Sequence, residues 1–212
     1  MNKLLSAIMA LAVALALLTG SIAVPVALRP FYYAHIVPLH ISERSCLTAQ
    51  EICQAYDEVL DYCTGEENEF SAGILSFSAE GAAHFADCRL LFLLDHWLFA
   101  VSMAVIAAIL VYNRKHKLHR FHNRGPAFWG ASGMCAALLA AGAFAAVNFD
   151  RAFKLFHTVL FPGKTNWVLN YADDPVVKIF PEAFFFDCAL LVVAVALFVT
   201  AIIVVLDLKN ST

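Results

Sequence analysis

The chain has 212 residues, 61% of them hydrophobic and only 15% charged. Soluble domains carry about 25% charged residues, so an ordinary soluble fold is excluded. A formal net charge of −3 gives no sign of nucleic-acid binding.

Four apolar runs account for the excess: Leu4–Leu28, Leu90–Tyr112, Ala127–Val147 and Phe184–Leu206. A bilayer-crossing helix needs roughly 20 such residues, so the expectation is an all-α membrane protein with four transmembrane helices and a small extracytoplasmic cap. Residues 1–28 form the first span. Lys3 and the triplet Ser21-Ile22-Ala23 resemble signal-peptide features, but the apolar stretch exceeds a typical signal core and favours an uncleaved anchor.

Residues 29–89 are too long for a plain connector and read as the cap. Tyr32 and Tyr33 suit a membrane–water interface. In LTAQEICQAYDEVLDYC, apolar residues recur at near-helical spacing, Thr48 with Glu51 matches a capping box, and Thr64-Gly65 ends the helix. Cys46, Cys53, Cys63 and Cys88 allow three disulfide pairings, and one or two bridges bracing the cap is the simplest expectation. A Cys-x-x-Cys pair, which a thiol–disulfide enzyme would normally carry, is missing.

The next helix is expected to start after Ser78, with Glu80 in its first turn, and to run unbroken into the second span, residues 90–112. His84 then lies one or two turns above the apolar boundary, with Asp87 and Cys88 at i+3 and i+4. Asp95 is an ionisable group inside a span, and a polar partner within the bundle is expected for it. His96 is the lone histidine in the spans, too few for a haem.

Residues 113–126 hold Arg114, Lys115, Lys117, Arg120 and Arg124 without an acid, so this loop is cytoplasmic by the positive-inside rule. Lys3 and Lys209 agree, placing both termini inside. His116, His119 and His122 in this loop read as part of a solvated positive surface rather than a metal site. No HExxH is present, and neither metal nor cofactor is expected.

Residues 127–147 form the third span, 148–183 a second extracytoplasmic segment, 184–206 the fourth span and 207–212 a cytoplasmic tail. Within the second outer segment, Phe149, Phe153, Phe156 and Leu160 share a helical face bordered by His157, and Pro162-Gly163 stops the helix. Both outer segments thus bring one histidine close to the outer membrane face. Histidine is the usual acid–base group at neutral pH.

The stretches FSAEGAAHFADCRLLF, FHTVLFPGKTNWVLN and DDPVVKIFPEAFFFDC resemble the signature regions of the bacterial lipoprotein intramolecular transacylases. The similarity spans most of the chain. It is most specific around His157, Pro162–Trp167 and Pro181–Phe185, and it departs at Asn170, where an acid is expected.

The resemblance implies an acyltransferase of the bacterial cell membrane, with a diacylated lipoprotein as substrate and membrane lipid around it. It would move the sn-2 acyl chain of the diacylglyceryl-cysteine onto that cysteine's α-amine, giving a lyso-form lipoprotein. The family's catalytic histidines would fall on His84 and His157 at the outer face. Apart from the resemblance, a carboxylate can fix an imidazole tautomer, so Asp87 or Glu80 is expected to orient His84, and Phe153, Phe156, Phe161, Trp167, Phe184 and Phe185 are candidate substrate-binding walls. The alternatives are a non-catalytic cap that binds lipoprotein or lipid, and a thiol–disulfide membrane enzyme.

Overall fold

A computed structural model describes residues 2–114 and 118–209. Within these it is helical, with no β-strand and one isolated bridge between Phe121 and Arg124. The order is α1 (Asn2–Ala27), α2 (Arg29–His35), α3 (Ile41–Ser45), α4 (Ala49–Thr64), α5 (Ala79–Asn113), α6 (Pro126–Val147), α7 (Phe149–Leu160), a 3₁₀ turn (Pro175–Ile179) and α8 (Glu182–Lys209). Four of them, α1, α5, α6 and α8, are long and apolar enough to cross a membrane. The expected unbroken helix from Ala79 into the second span is α5. Its 35 residues reach roughly 52 Å at 1.5 Å per residue, well beyond a hydrocarbon core of about 30 Å.

The chain divides into two compact units. One comprises residues 1–24, 95–143 and 190–212. Its buried core joins Met9, Val13 and Leu17 of α1 with Ile109 of α5, Ala131 and Cys135 of α6, and Ala196 of α8. Small residues let these helices approach: a Cβ on Gly130 would run into the backbone carbonyl of Ala10. Between α5 and α6, Arg120 and Arg124 reach Asp207 at 3.2 and 3.6 Å, and His119 N–H donates to Ser6 Oγ. Lys115, His116 and Lys117 of the basic loop lie outside the described residues. Asp95 is half-buried and, contrary to expectation, meets no hydrogen-bond partner among the described residues. The neighbouring side chains Leu94 and Trp97 are apolar and exposed.

The other unit comprises residues 25–94 and 144–189. Helix α4 begins with the expected capping box: Glu51 N–H donates to Thr48 Oγ1 at 3.3 Å, and Thr48 N–H to the Glu51 carboxylate at 2.8 Å. It ends at Gly65, whose φ of 88° closes the helix in the left-handed region. Tyr32 is fully buried rather than interfacial. Its ring stacks on Tyr56 at 3.7 Å and its hydroxyl donates to the Ile179 carbonyl, inside a core that includes Ile36, Ile52 and Phe184. A second core packs Val59, Cys63, Ala72, Phe85 and Val176.

All six cysteines are free thiols, so the expected bridges are absent. Cys63 serves as a small core hydrophobe, its thiol pushed up to about 12 by burial, and Cys88 packs against the same core. Cys53 packs against the other core and Cys46 is exposed at the end of α3.

The start of α5 is fixed from a distance in sequence. Ser78 caps it, accepting from Gly81 N–H at 3.0 Å. Buried Asp174 accepts from Ser78 N–H at 2.7 Å and from Ser78 Oγ at 3.0 Å. A carboxylate here also suits the helix dipole. A Cβ on Gly81 would meet that carboxylate, which is why glycine occupies the first turn.

The packing of α6 on α1 can be tested by substitution. Gly130→Val is expected to cost about 1–3 kcal/mol, read as a lowered melting temperature of the detergent-solubilised protein. Gly133→Ala, where a Cβ meets nothing within 4 Å, should leave it unchanged or slightly raised.

Candidate active site

Helix α7 carries His157. Asn148 caps it by accepting from Arg151 N–H at 2.9 Å, Asp150 lies in its first turn, and the helix stops at Leu160, just before Pro162-Gly163. Of the face shared by Phe149, Phe153, Phe156 and Leu160, the first two are half-buried, against Phe186 and Phe185. His157 is buried, at 8% exposure, whereas Phe156 is 57% exposed and Leu160 37%. Apolar residues on this helix outnumber those its neighbours can cover, and the imidazole takes the covered side.

His84 of α5 is equally buried, and the two rings meet with centroids 5.8 Å apart. Phe161 lies against both, at 5.1 Å from His84 and 5.7 Å from His157. Phe153 approaches His157 at 4.2 Å, Phe156 meets it edge-on at 5.5 Å, and Trp167 stacks on it at 4.9 Å. Two histidines 73 positions apart in the chain thus share one aromatic enclosure.

The loop after α7 folds back to bring Trp167 over the ring. Lys164 N–H donates to Phe161 O, and Trp167 Nε1–H donates to Lys164 O at 3.1 Å. Asp87 holds this loop to α5, accepting from Lys164 Nζ and, at 3.0 Å, from Asn166 Nδ2. Asp87 therefore makes no hydrogen bond to His84, although it sits one turn below it. Its two oxygens are committed to the 164–166 segment. Glu80 is exposed at the start of α5 and makes none to His84 either. Phe185 flanks Phe153 at 5.6 Å, but Phe184 belongs to the Tyr32–Tyr56 core and lies edge-on to Tyr32 at 5.0 Å. Lys164 and Asn166 were not apparent as site residues from the sequence. Their place in the specific stretch Pro162–Trp167 was the signal that could have marked them.

Hydrogen bonding distinguishes the two imidazoles. His157 Nδ1 lies 2.8 Å from the Phe153 carbonyl, which can only accept, so Nδ1 carries the hydrogen and Nε2 keeps its lone pair. Burial depresses the His157 pKa, and the bond to Phe153 offsets this in part, so the ring is neutral at pH 7. An apolar, aromatic setting for a titratable group thus yields a ready proton acceptor. His84 Nε2 lies 3.5 Å from Cys88 Sγ, while its Nδ1 is buried with no partner among the described residues. The two rings are buried side by side. No group of three or more metal-ligating side chains occurs among the described residues.

A family model for the lipoprotein intramolecular transacylase Lit matches residues 7–185. The chain belongs to that family. It is accordingly an acyltransferase embedded in a membrane, and the reading as a non-catalytic binding protein is set aside.

The fold of this transacylase is similar to the solved structure of the membrane-integral transacylase Lit from Bacillus cereus. The TM-score is 0.89 at 22% identity, covering 99% of this chain and 97% of that one. Two structures of the same Bacillus cereus protein, each with one histidine replaced, by arginine or by alanine, match with TM-scores of 0.82 and 0.83 at 21% identity. They cover 99% of this chain and 91% and 93% of theirs. Among curated proteins, none matches the sequence.

The tautomer of His157 is directly measurable. In ¹⁵N-histidine-labelled enzyme, with the signal assigned through His157→Ala, the ring at pH 7 should show Nδ1–H and a bare Nε2. Its titration midpoint should lie below the ordinary histidine value of about 6.5. As pH falls, the unfolded chain takes up this proton first. The stabilisation tied to the neutral ring is complete above about pH 6.5 and is lost as pH falls toward the depressed value.

Proposed function

We propose that the enzyme transfers the sn-2 acyl chain of a diacylglyceryl-cysteine lipoprotein to the α-amine of the same cysteine, giving the lyso form, with His157 as base and His84 as acid. The observation that carries this reading is the pair of buried imidazoles, 5.8 Å apart, with His157 Nε2 free to accept.

Nucleophile and ester sit on one substrate molecule, so no covalent enzyme intermediate is required. The neutral amine attacks the acyl carbonyl; the N–C bond forms and the bond between the acyl carbon and the glyceryl oxygen breaks. The proton shed by nitrogen goes to His157 Nε2. One proton returns to the departing glyceryl oxygen from His84, which receives it in turn from His157. The sum moves one hydrogen from nitrogen to oxygen and leaves both rings neutral.

The medium-sized ring formed in the attack closes reluctantly in solution. Confinement between Phe153, Phe156, Phe161 and Trp167 supplies positioning, an effect worth on the order of 7–11 kcal/mol in favourable cases. Phe185, beside Phe153, extends that wall. Leu155, Phe156 and Val159 leave α7 with exposed apolar side chains suited to the lipid of the membrane that delivers the substrate. The basic residues of the 113–126 loop support cytoplasmic termini and a site at the outer face.

His84→Ala and His157→Ala, each checked for membrane expression, are expected to lose about 10²–10⁴-fold in lyso-form product, measured by mass spectrometry of lipoprotein N-termini. Undiminished product from either variant removes that residue from the chemistry.

A further inference from the structure

The substrate of this transacylase is part lipid and part polypeptide, and the enclosure around the histidines is built from aromatic rings. A peptide backbone taken there would leave its N–H and C=O groups without partners, which is costly. The polypeptide that follows the lipidated cysteine therefore needs a polar exit close to the two imidazoles.

A cavity of about 510 Å³ lies in the same unit, between the start of α5 and the segment that follows Trp167. Ser78, Glu80, Asn166, Leu169, Asp173 and Asp174 are among its lining residues. Asn166 connects it to the site. Its amide nitrogen donates to Asp87, three residues from His84, and its Oδ1 is buried without a partner among the described residues.

The lining includes three carboxylates and neither lysine nor arginine. Asp174 is committed to Ser78, and nearby Lys164 to Asp87. That leaves Glu80, exposed, and Asp173, of which one oxygen accepts from Asn170 Nδ2 at 2.7 Å. The walls thus present acceptors and uncompensated negative charge to whatever enters. Val168 and Leu169 add an apolar strip suited to side-chain contact. A volume of this size falls within the range of sites that hold small ligands or short peptide stretches.

We propose that this cavity is the subsite for the first residues after the lipidated cysteine, and that it favours cationic over acidic side chains there. The assignment rests on the reading under Proposed function, because it takes the lipoprotein as the occupant. Asp87, on the helix that carries His84, is bonded to Asn166 of the cavity lining. One hydrogen bond then joins the wall of the peptide subsite to the helix that carries the acid.

Binding separates this subsite from the chemistry. Fluorescent diacylglyceryl-cysteine peptides bearing three lysines or three aspartates would be titrated by anisotropy into the full-length enzyme, alongside a diacylglyceryl-cysteine amide with no peptide. The same titrations in His157→Ala measure binding without turnover. The lysine peptide is expected to bind several-fold more tightly than the aspartate peptide to both proteins. Asp173→Lys should abolish or invert that preference. Leu169→Trp, which fills the cavity, should weaken both peptides relative to the amide. An unchanged lysine-to-aspartate ratio in Asp173→Lys, with an unchanged peptide-to-amide ratio in Leu169→Trp, overturns the subsite. Retained preference without any lyso product overturns the acyl-transfer reading and leaves the subsite standing.

Discussion

Two imidazoles 5.8 Å apart in an apolar enclosure cannot both be charged without a large electrostatic penalty, because burial removes them from bulk solvent screening. Much of the local architecture answers to that constraint. Phe161 touches both rings, Trp167 covers one, and the Phe153 carbonyl fixes the hydrogen of His157 on Nδ1. Such a pair suits the proposed transfer, which takes a hydrogen from nitrogen and gives one to oxygen.

Asp87 shows how the enclosure is held, besides favouring the protonated form of the His84 ring through its charge. Its carboxylate ties Lys164 and Asn166 to α5, and these two flank the stretch that places Trp167 over His157. Asp174 does a similar service at the start of the same helix through Ser78. Two carboxylates near or on one helix thus anchor the loop that follows α7.

Much of this was legible in the sequence. Apolar runs marked the four long helices, and the Thr48–Glu51 and Ser78 caps were readable because caps are local. His84 and His157 stood out as histidines close to span boundaries, and the resemblance of their surroundings to the transacylases joined them. Partners set by packing between distant segments were not legible. Asp87 meets Lys164 and Asn166 across more than 70 residues, partners that its i+3 spacing from His84 could not reveal. Phe184 and Phe185 are adjacent in sequence, yet the first enters the Tyr32 core and the second faces Phe153. Helical periodicity assigns faces, and it cannot say which face another segment will cover: on α7 the histidine was covered and Phe156 was not. The cysteines misled for a related reason. Composition suggested bridges, whereas burial uses Cys63 as a core residue.

Whether the two rings act as one device is decided most directly by a double-mutant cycle on single-turnover product formation. The rate would be measured for His84→Ala, His157→Ala and the pair together. Groups sharing one proton should show strong non-additivity, the double variant being no slower than the worse single variant. Losses that multiply, each ring contributing its full factor in the absence of the other, would contradict a shared proton and leave two independent side chains in its place.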